Sequence, residues 1–296
     1  MVVPTSGALI VDELQYDEET TFGTKVTSTP TYLAVGVTTN PEFSGGPETL
    51  SVPITGDEDA HKLLLGKESY ALKFSYKPVD ILFSTYGVNS QGGGSTTIDK
   101  SLTMMLSGKM SGTTNYYFAH GCRVETMTFK GGPGRVHEID VEMKCKQIPA
   151  PATSHGLSGQ TLATAVSGTP WKFEDGGASP ISWNSSGIDC TDITVRFQRN
   201  LKEIYAGDGT TARITYLHPT ERKITGTMTV VHTAKTLLDD EIAGTLRTLA
   251  WVLKTGSGTL TLSNVKLDAL SSLAMPESDV VFEKYNFTAT TAALAA

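Results

Sequence analysis

The stretch from Gly121 to Lys146 constrains the fold of this chain more than any other, because it has the pattern of a β-hairpin. A turn cluster, Gly131 to Gly134, lies between two runs of alternating residues. Folding about Pro133 and Gly134 places four pairs opposite each other on one face: Cys122 with Cys145, Val124 with Met143, Thr126 with Val141, and Thr128 with Ile139. The other face is mostly charged, with Arg123, Glu125, Glu138, Asp140, Glu142 and Lys144, and is interrupted by Met127 and Phe129. We therefore expect a sheet with a core on one side and water on the other.

A fainter copy of this hairpin runs from Thr259 to Phe287, and the segments before the two copies follow the same order. The strands Leu33 to Thr39 and Glu68 to Lys77 have counterparts in Asp192 to Gln198 and Lys223 to His232. A helix is predicted before each hairpin, from Pro78 to Tyr86 and from Leu237 to Leu253. Residues 88 to 113 have no counterpart in the second half, which instead has the longer helix. Both halves thus read strand, long loop, strand, helix, hairpin.

Length and composition agree with two mainly β domains. The chain of 296 residues is long enough for two cores, and its 29 glycines favour short strands and turns over long helices. The expected division is an N-terminal arm (1–28), a first domain (29–148), a linker (149–170), a second domain (171–288) and a C-terminal tail (289–296).

The charge balance argues against a dedicated nucleic-acid-binding protein. Lys and Arg number 24 against 31 Asp and Glu, for a net charge of -7, and no basic cluster stands out. No export signal and no transmembrane stretch are expected. The three cysteines match no metal motif, so they are either buried thiols or, for Cys122 and Cys145, a cross-strand disulfide.

No catalytic, cofactor or metal motif is present. The carboxylates Asp57 to Asp59 lack the spacing of an EF-hand loop, and Gly92 to Gly94 are not followed by the Lys and Ser/Thr of a phosphate-binding loop. The six histidines have no metal-ligand spacing, and no nucleophile elbow occurs. We expect a protein that is not an enzyme and that binds no cofactor.

The organisation resembles the tail tube proteins of long-tailed bacterial and archaeal viruses. The resemblance is carried by Gly121 to Val124 leading into a charged hairpin, by the helix Pro78 to Tyr86, and by their repetition as Leu237 to Leu253 and Val265 to Phe287. It implies β-sandwich domains with one flanking helix each, joined side by side into a ring with an inner β-barrel. A chain with two such domains is similar to the members that form a trimeric, pseudo-sixfold ring.

The resemblance also implies a function and partners. It indicates a structural virion protein, a major tail protein that self-assembles into stacked rings, forming the tube through which DNA passes during ejection. Tape-measure and tail-terminator or tip proteins are the implied partners, with assembly in the host cytoplasm and no membrane. The candidates for ring stacking are the N-terminal arm, the loops Phe43 to His61 and Gly92 to Thr114, and the tail Thr288 to Ala296.

A channel for DNA should have an acidic or neutral wall, because a basic wall would hold the phosphates. We therefore expect a set of carboxylates on the charged hairpin faces to point into the lumen: Glu125, Glu138, Asp140, Glu142, Asp268, Asp279 and Glu283. Arg123, Lys144 and Lys266 would temper this charge.

Two other functions remain open. A tandem β-sandwich ligand-binding or adhesion module would be a monomer with exposed aromatic residues, and Trp171 and Trp183 are the candidates. An enzyme of unrecognised motif would show a polar pocket of ligand size.

Overall fold

The computed structural model describes residues 10–25, 32–53, 61–89, 100–110, 113–155, 168–207, 212–232, 236–274 and 281–295, and it confirms a mainly β protein. The first half contains β1 (Ile10–Glu18), β2 (Leu33–Ala34), β3 (Val37–Pro53), β4 (His61–Lys77), α1 (Thr85–Val88), β5 (Leu102–Met110), β6 (Thr113–Gly131) and β7 (Glu138–Cys145). The second half contains β8 (Ile181–Trp183), β9 (Ser186–Gly187), β10 (Cys190–Gly207), β11 (Ala212–Val231), α2 (Thr236–Ala243), β12 (Arg247–Lys254), β13 (Gly258–Ala274), β14 (Phe282–Ala289) and β15 (Thr291–Ala295). No helix in the described part of the chain is long and apolar enough to cross a membrane.

Eight of these strands form one antiparallel sheet, which we call the long sheet. Its order is β3-β4-β7-β6-β10-β11-β14-β13, and each half contributes four neighbouring strands. Two side sheets complete the fold, β2-β1-β5-β6 in the first half and β9-β8-β12-β13-β15 in the second. The long strands β6 and β13 therefore belong to two sheets each.

The halves meet where β6 pairs with β10, and one hydrophobic core extends across this junction. The ring of Phe129 on β6 lies edge-on to Phe197 on β10, with centroids 5.8 Å apart, and also contacts Trp251 at 6.4 Å. Two arginines of the second half donate hydrogen bonds to the last carbonyls of α1, Arg199 to Gly87 at 2.9 Å and Arg222 to Val88. These carbonyls have no partner within the helix, so the junction also caps α1.

A residue with positive φ marks the point where each long strand changes sheet. Gly121 in β6 has φ +64°, and pairing passes from β5 to β7 at the next residues. Asn264 in β13 has φ +51°, and pairing passes from β12 to β14 after Val265. Glycine and asparagine are the residues that adopt this conformation most readily, which explains their use at both corners.

The hairpin β6–β7 agrees with the sequence prediction only at its open end. Val124 faces Met143 as expected, but an extra residue then shifts the register, so that Thr126 faces Glu142 and not Val141, and Thr128 faces Asp140 and not Ile139. A β-bulge reverses the alternation of faces beyond it. Met127 and Phe129, which interrupted the predicted charged face, are therefore buried in the core.

The predicted helix from Leu237 to Leu253 is wrong. Helix α2 ends at Ala243, Gly244 follows with φ +64°, and β12 begins at Arg247. The buried residues of β12 are Leu249, Trp251 and Leu253, which is the two-residue period of a strand. Leu246, Leu249 and Leu253 also fit helical spacing, so the pattern was ambiguous. Because β12 precedes β13 as β5 precedes β6, strand β5 within residues 88–113 does have a counterpart in the second half.

The predicted first helix and the predicted arm, linker and tail differ in part from the structure. Only Thr85–Val88 is α-helical, after a series of turns from residue 79. Within the predicted arm, β1 pairs with β5, and the tail forms β15, which pairs with β13. Of the predicted linker, residues 149–155 run beside β6 through a bridge between Tyr116 and Ala152, and residues 156–167 lie outside the described part. The domain boundaries stay predictions.

The acidic run of the predicted arm ends in a buried carboxylate. Glu19 accepts hydrogen bonds from the backbone N–H of Gly23 and Gly121 and from the hydroxyls of Ser101 and Thr103, at 2.6 to 2.9 Å. Four donors offset the cost of burying this group. Glu19 thereby ties the end of β1 to the corner of β6.

All three cysteines are free and buried. The Sγ atoms of Cys122 and Cys145 lie 2.8 Å apart in a hydrogen bond across β6 and β7, and burial raises the pKa of Cys122. The thiol alternative of the sequence analysis therefore describes the structure.

The corner at Gly121 predicts a matched pair of substitutions. Gly121→Ala adds a Cβ 2.7 Å from the Cβ of Lys146, whereas Gly134→Ala, also at positive φ (+73°), meets nothing within 4 Å. Gly134→Ala should cost about 1 kcal/mol for the backbone conformation alone, and Gly121→Ala should cost roughly 1–3 kcal/mol more because backbone must move. Urea unfolding of both variants measures this, and equal losses would show that the corner is not sterically constrained.

Candidate functional site

The outer face of the long sheet is a continuous polar surface built by both halves. Along β7, Glu138, Asp140, Glu142 and Lys144 are partly exposed and alternate with buried apolar residues. Residues directly opposite each other on neighbouring strands share a face. One row of opposed residues crosses all eight strands: Thr39, Ser75, Asp140, Thr128, Arg196, Thr225, Thr288 and Lys266. We call this surface the polar face.

Four of the seven carboxylates predicted from the sequence lie together on the polar face in the first half: Glu125, Glu138, Asp140 and Glu142. A fifth, Asp268, lies on the same face in the second half, exposed and accepting a hydrogen bond from the Thr288 hydroxyl at 3.1 Å. Asp279 lies outside the described residues.

The structure does not bring Glu283 to this face. Its side chain is 2 % exposed, and it accepts a hydrogen bond from the hydroxyl of Tyr285 at 2.9 Å and contacts Nδ1 of His232 at 2.5 Å. The outward residues of β14 are Phe282, Lys284 and Asn286. On β14, Glu283 alternates with these outward residues and faces the core, so the analogy with the first hairpin fails at this position.

The first-half carboxylates are paired with lysines of the same face. Lys73 lies 2.8 Å from Glu142, and Lys130 lies 2.5 Å from Asp140. Asp140 also accepts a hydrogen bond from Ser75 at 2.7 Å. This half of the polar face is therefore carboxylate-rich but largely neutralised by direct ion pairs.

The most enclosed of these ion pairs joins the two halves. The Lys144 ammonium lies 3.1 Å from Glu125 and 3.4 Å from Glu203 of β10, and it donates to the carbonyl of Leu201 at 3.3 Å. Burial raises the pKa of Glu125, and the hydrogen bond and charge of Lys144 oppose that rise. Lys144 therefore holds two carboxylates together where the far part of β10 crosses the end of β7.

The second half of the polar face carries four cations, of which the sequence analysis singled out only Lys266. Arg196, Lys223, Lys266 and Lys284 are all exposed on it. Their alternation with buried residues was visible in the sequence, for example in the run from Asp192 to Gln198.

No competing site is evident in the described residues. No group of three or more His, Cys, Asp or Glu side chains there could hold a metal ion. Trp171 and Trp183, the aromatic candidates for a binding module, are each 2 % exposed, and Trp183 donates to Asp240 at 2.8 Å. A cavity of about 190 Å³ beside α2 is lined by Trp183, Asp240 and Arg247, whose polar groups already bond each other.

Residues 13–289 match the family model described as phage tail tube protein. The chain belongs to this family. A search of curated proteins found no match. Membership makes the protein a structural component of the virion tail that associates with itself and with other tail proteins, and it implies a non-enzymatic role.

The lysine cluster of this tail tube protein predicts a pH-dependent loss of stability. Lys144→Met leaves Glu125 and Glu203 close together without a cation, which should cost about 1 kcal/mol near neutral pH after allowing for solvent screening. The substitution should raise the pKa of Glu125 further in the folded state. A carboxyl with a raised folded pKa gains stability as pH falls through that pKa, so the deficit should shrink under mildly acidic conditions.

Urea unfolding of this variant at neutral and mildly acidic pH checks the prediction. Lys73→Met is the matched control, because Lys73 is 52 % exposed in its ion pair with Glu142 and should leave the unfolding midpoint unchanged. A pH-independent loss for Lys144→Met would show that packing of the lysine stem, and not its charge, is responsible.

Proposed function

We propose that this protein is a tail tube subunit with two duplicated halves, that three copies close into a pseudo-sixfold ring, and that stacked rings form the channel for viral DNA. The polar face lines the channel. The single observation that carries the proposal is the long sheet, in which two halves with the same strand order are joined side by side through β6 and β10.

Matching irregularities support the duplication. In β3–β4 the register shifts between Pro47 and Thr49, where the one intervening residue of β3 lies opposite two residues of β4, Lys67 and Gly66. In β10–β11 the same shift occurs between Arg199 and Leu201, facing Arg222 to Pro219. The corners at Gly121 and Asn264 are each followed, four residues later, by a bulge at a carboxylate, Glu125 or Asp268. Bulges tend to be retained in related structures, so shared bulges indicate shared descent.

Two open edges explain why such a subunit would form a ring. Among the described strands β3 pairs with β4 alone, and from Lys266 to Ala274 β13 pairs with β14 alone. Open edges present unpaired backbone groups, and a closed ring satisfies them all. In the proposed ring, β13 of one copy pairs with β3 of the next as β6 pairs with β10 within the chain.

The junction within the chain predicts the register between copies. Thr128 faces Arg196 in the β6–β10 pair. When the two halves are matched by their bulges, Thr128 is equivalent to Ser272, and Arg196 is equivalent to Ser44. We therefore expect Ser272 to face Ser44 of the neighbouring copy. Both positions are on β-strand backbone at the open edges.

Cysteine cross-linking tests this register. Under mild oxidation the double variant Ser272→Cys/Ser44→Cys should give a covalent ladder that ends at the trimer, because opposed residues in an antiparallel pair are close enough for a disulfide. Thr128→Cys/Arg196→Cys is the positive control within one chain. Ser272→Cys/Thr39→Cys is the off-register control, because Thr39 is five residues, or about 16 Å, from Ser44 along the strand. Equal cross-linking of matched and off-register variants, or a ladder beyond the trimer, would contradict the proposal.

Ring stacking is assigned to two projecting hairpin ends. Beyond Tyr70 strand β4 has no β7 partner, and beyond Gln198 strand β10 has no β6 partner, so both hairpins extend past the long sheet as two-stranded ribbons. The ribbons meet at a bridge between Lys67 and Ala212. The first ribbon contains most of the described residues 43–53 of the loop Phe43 to His61 that the sequence suggested for stacking. The described part of Gly92 to Thr114 and the tail form strands β5, β6 and β15 instead.

Negative-stain electron microscopy of the purified protein tests the function as a whole. Hollow tubes or stacked rings with three subunits, seen as six similar lobes, are expected. The tape-measure, terminator or tip proteins of the proposed tail would act at the tube's interior and ends, and assembly in the host cytoplasm is part of the same proposal. A binding or adhesion module is disfavoured because both of its candidate tryptophans are buried.

A further inference from the structure

We propose that the second half of the polar face is a basic sector that contacts the phosphates of DNA, and that it alternates around the ring with the ion-paired sector of the first half. The basic sector consists of Arg196, Lys223, Lys266 and Lys284. The inference rests on the proposed function, since it requires the polar face to line the channel. It replaces the acidic or neutral wall expected from the sequence with a wall of alternating charge.

Equivalent positions of the two halves carry opposite charge. The first residue pair after the corner is Arg123–Lys144 in β6–β7 and Lys266–Thr288 in β13–β14. Asp140 lies four residues before Lys144, and Lys284 lies four residues before Thr288. Asp140 therefore corresponds to Lys284. Asp140 faces Ser75, and Lys284 faces Thr229. At the neighbouring row, the ion pair of Lys73 and Glu142 is replaced by Thr227 and Asn286. The duplicated sheet thus keeps its geometry while exchanging carboxylates for neutral or cationic side chains.

The balance of charge differs between the sectors. The described first-half residues of the face include four lysines and five carboxylates: Lys73, Lys77, Lys130, Lys144, Glu42, Glu125, Glu138, Asp140 and Glu142. The second-half residues include four cations and two carboxylates: Arg196, Lys223, Lys266, Lys284, Asp192 and Asp268. Asp192 lies 3.4 Å from Arg135 of the hairpin turn, and Asp268 accepts a hydrogen bond from Thr288.

The cations of the two sectors also differ in whether a protein carboxylate already pairs with them. Lys73, Lys130 and Lys144 each lie within 3.1 Å of a carboxylate oxygen. Across the part of the chain that the structure describes, Arg196, Lys223 and Lys266 make no such ion pair, and all three are exposed. A cation without a protein counter-ion keeps mobile counter-ions, and their release favours binding to a polyanion.

The side chains between these cations suit phosphate better than an acidic polypeptide. They are mostly hydroxyl and amide groups, which accompany Lys and Arg in contacts to the DNA backbone: Thr194, Thr225, Thr227, Thr229, Asn286 and Thr288. A polypeptide partner would be anchored by apolar residues in pockets, and Phe282 is the one large apolar side chain counted as exposed among the described residues of this sector. The contacts would be few and without base specificity, which is compatible with DNA that moves past them.

Two double variants on the same face test the assignment. Arg196→Gln/Lys223→Gln removes two cations of the basic sector, and Lys73→Gln/Lys130→Gln removes two ion-paired lysines, so both change the net charge equally. Binding of a short labelled DNA duplex to the unassembled full-length chain is followed by fluorescence anisotropy over a range of salt concentrations. The first variant should weaken binding and lower the slope of log K against log salt by about 2, at about 0.9 per lost phosphate contact. The second should leave the slope within about 0.5 of the unaltered chain.

Three results would overturn the inference: no DNA binding by the unaltered chain, equal changes in both variants, or tighter binding of polyglutamate than of DNA at equal charge. Electron microscopy of the same samples separates this failure from failure of the proposed function. If tubes form normally while the DNA results are negative, the basic sector is refuted and the tube stands. If the unaltered chain never forms rings or tubes, the proposed function itself fails.

Discussion

The antiparallel pairing of β6 with β10 is the contact on which the rest of the structure depends. It joins two four-stranded sheets into one, and it makes the polar face and the core continuous between halves. Phe129 packs against Phe197 and Trp251 in the core beneath this strand pair. Because the pairing uses backbone groups, it requires compatible strand edges more than particular side chains. Among the described strands, edges of the same kind are open at both ends of the long sheet, on β3 and β13.

The two corners determine what that pairing can build. A strand that turns at Gly121 or Asn264 contributes one part to a side sheet and the other to the long sheet, so the two sheets enclose a common core. The bulge that follows restores inward-facing apolar residues after the turn, with Met127 and Phe129 as the example. Local backbone irregularities thus set which side chains face the polar side, and they do so similarly in both halves.

The charges on the polar face can differ between the halves without changing how the strands pair. The pairing of β14 with β11 matches that of β7 with β4 whether a position carries Asp140 or its counterpart Lys284, because outward side chains on a half-solvated sheet contribute little to packing. The first half of the polar face therefore carries ion-paired carboxylates, whereas the second half carries cations and hydroxyls on the same sheet. In the ring that we propose, a wall with both kinds of sector stays close to neutral, which suits passage of a polyanion without lasting attachment.

The sequence by itself determined the mainly β class, the central hairpin, the repetition of its pattern and the family to which the pattern is similar, because alternation and turn residues act over short distances. It identified Glu125, Glu138, Asp140 and Glu142 on one face for the same reason. It could not reveal the bulge at Glu125, the strand nature of Arg247–Lys254 or the burial of Glu283, since a one-residue insertion reverses the face and Leu-rich runs fit two periods. Only the tertiary structure decided that β6 meets β10 and that Arg196, Lys223 and Lys266 share one surface, because backbone pairing between distant strands leaves no local signal in the chain.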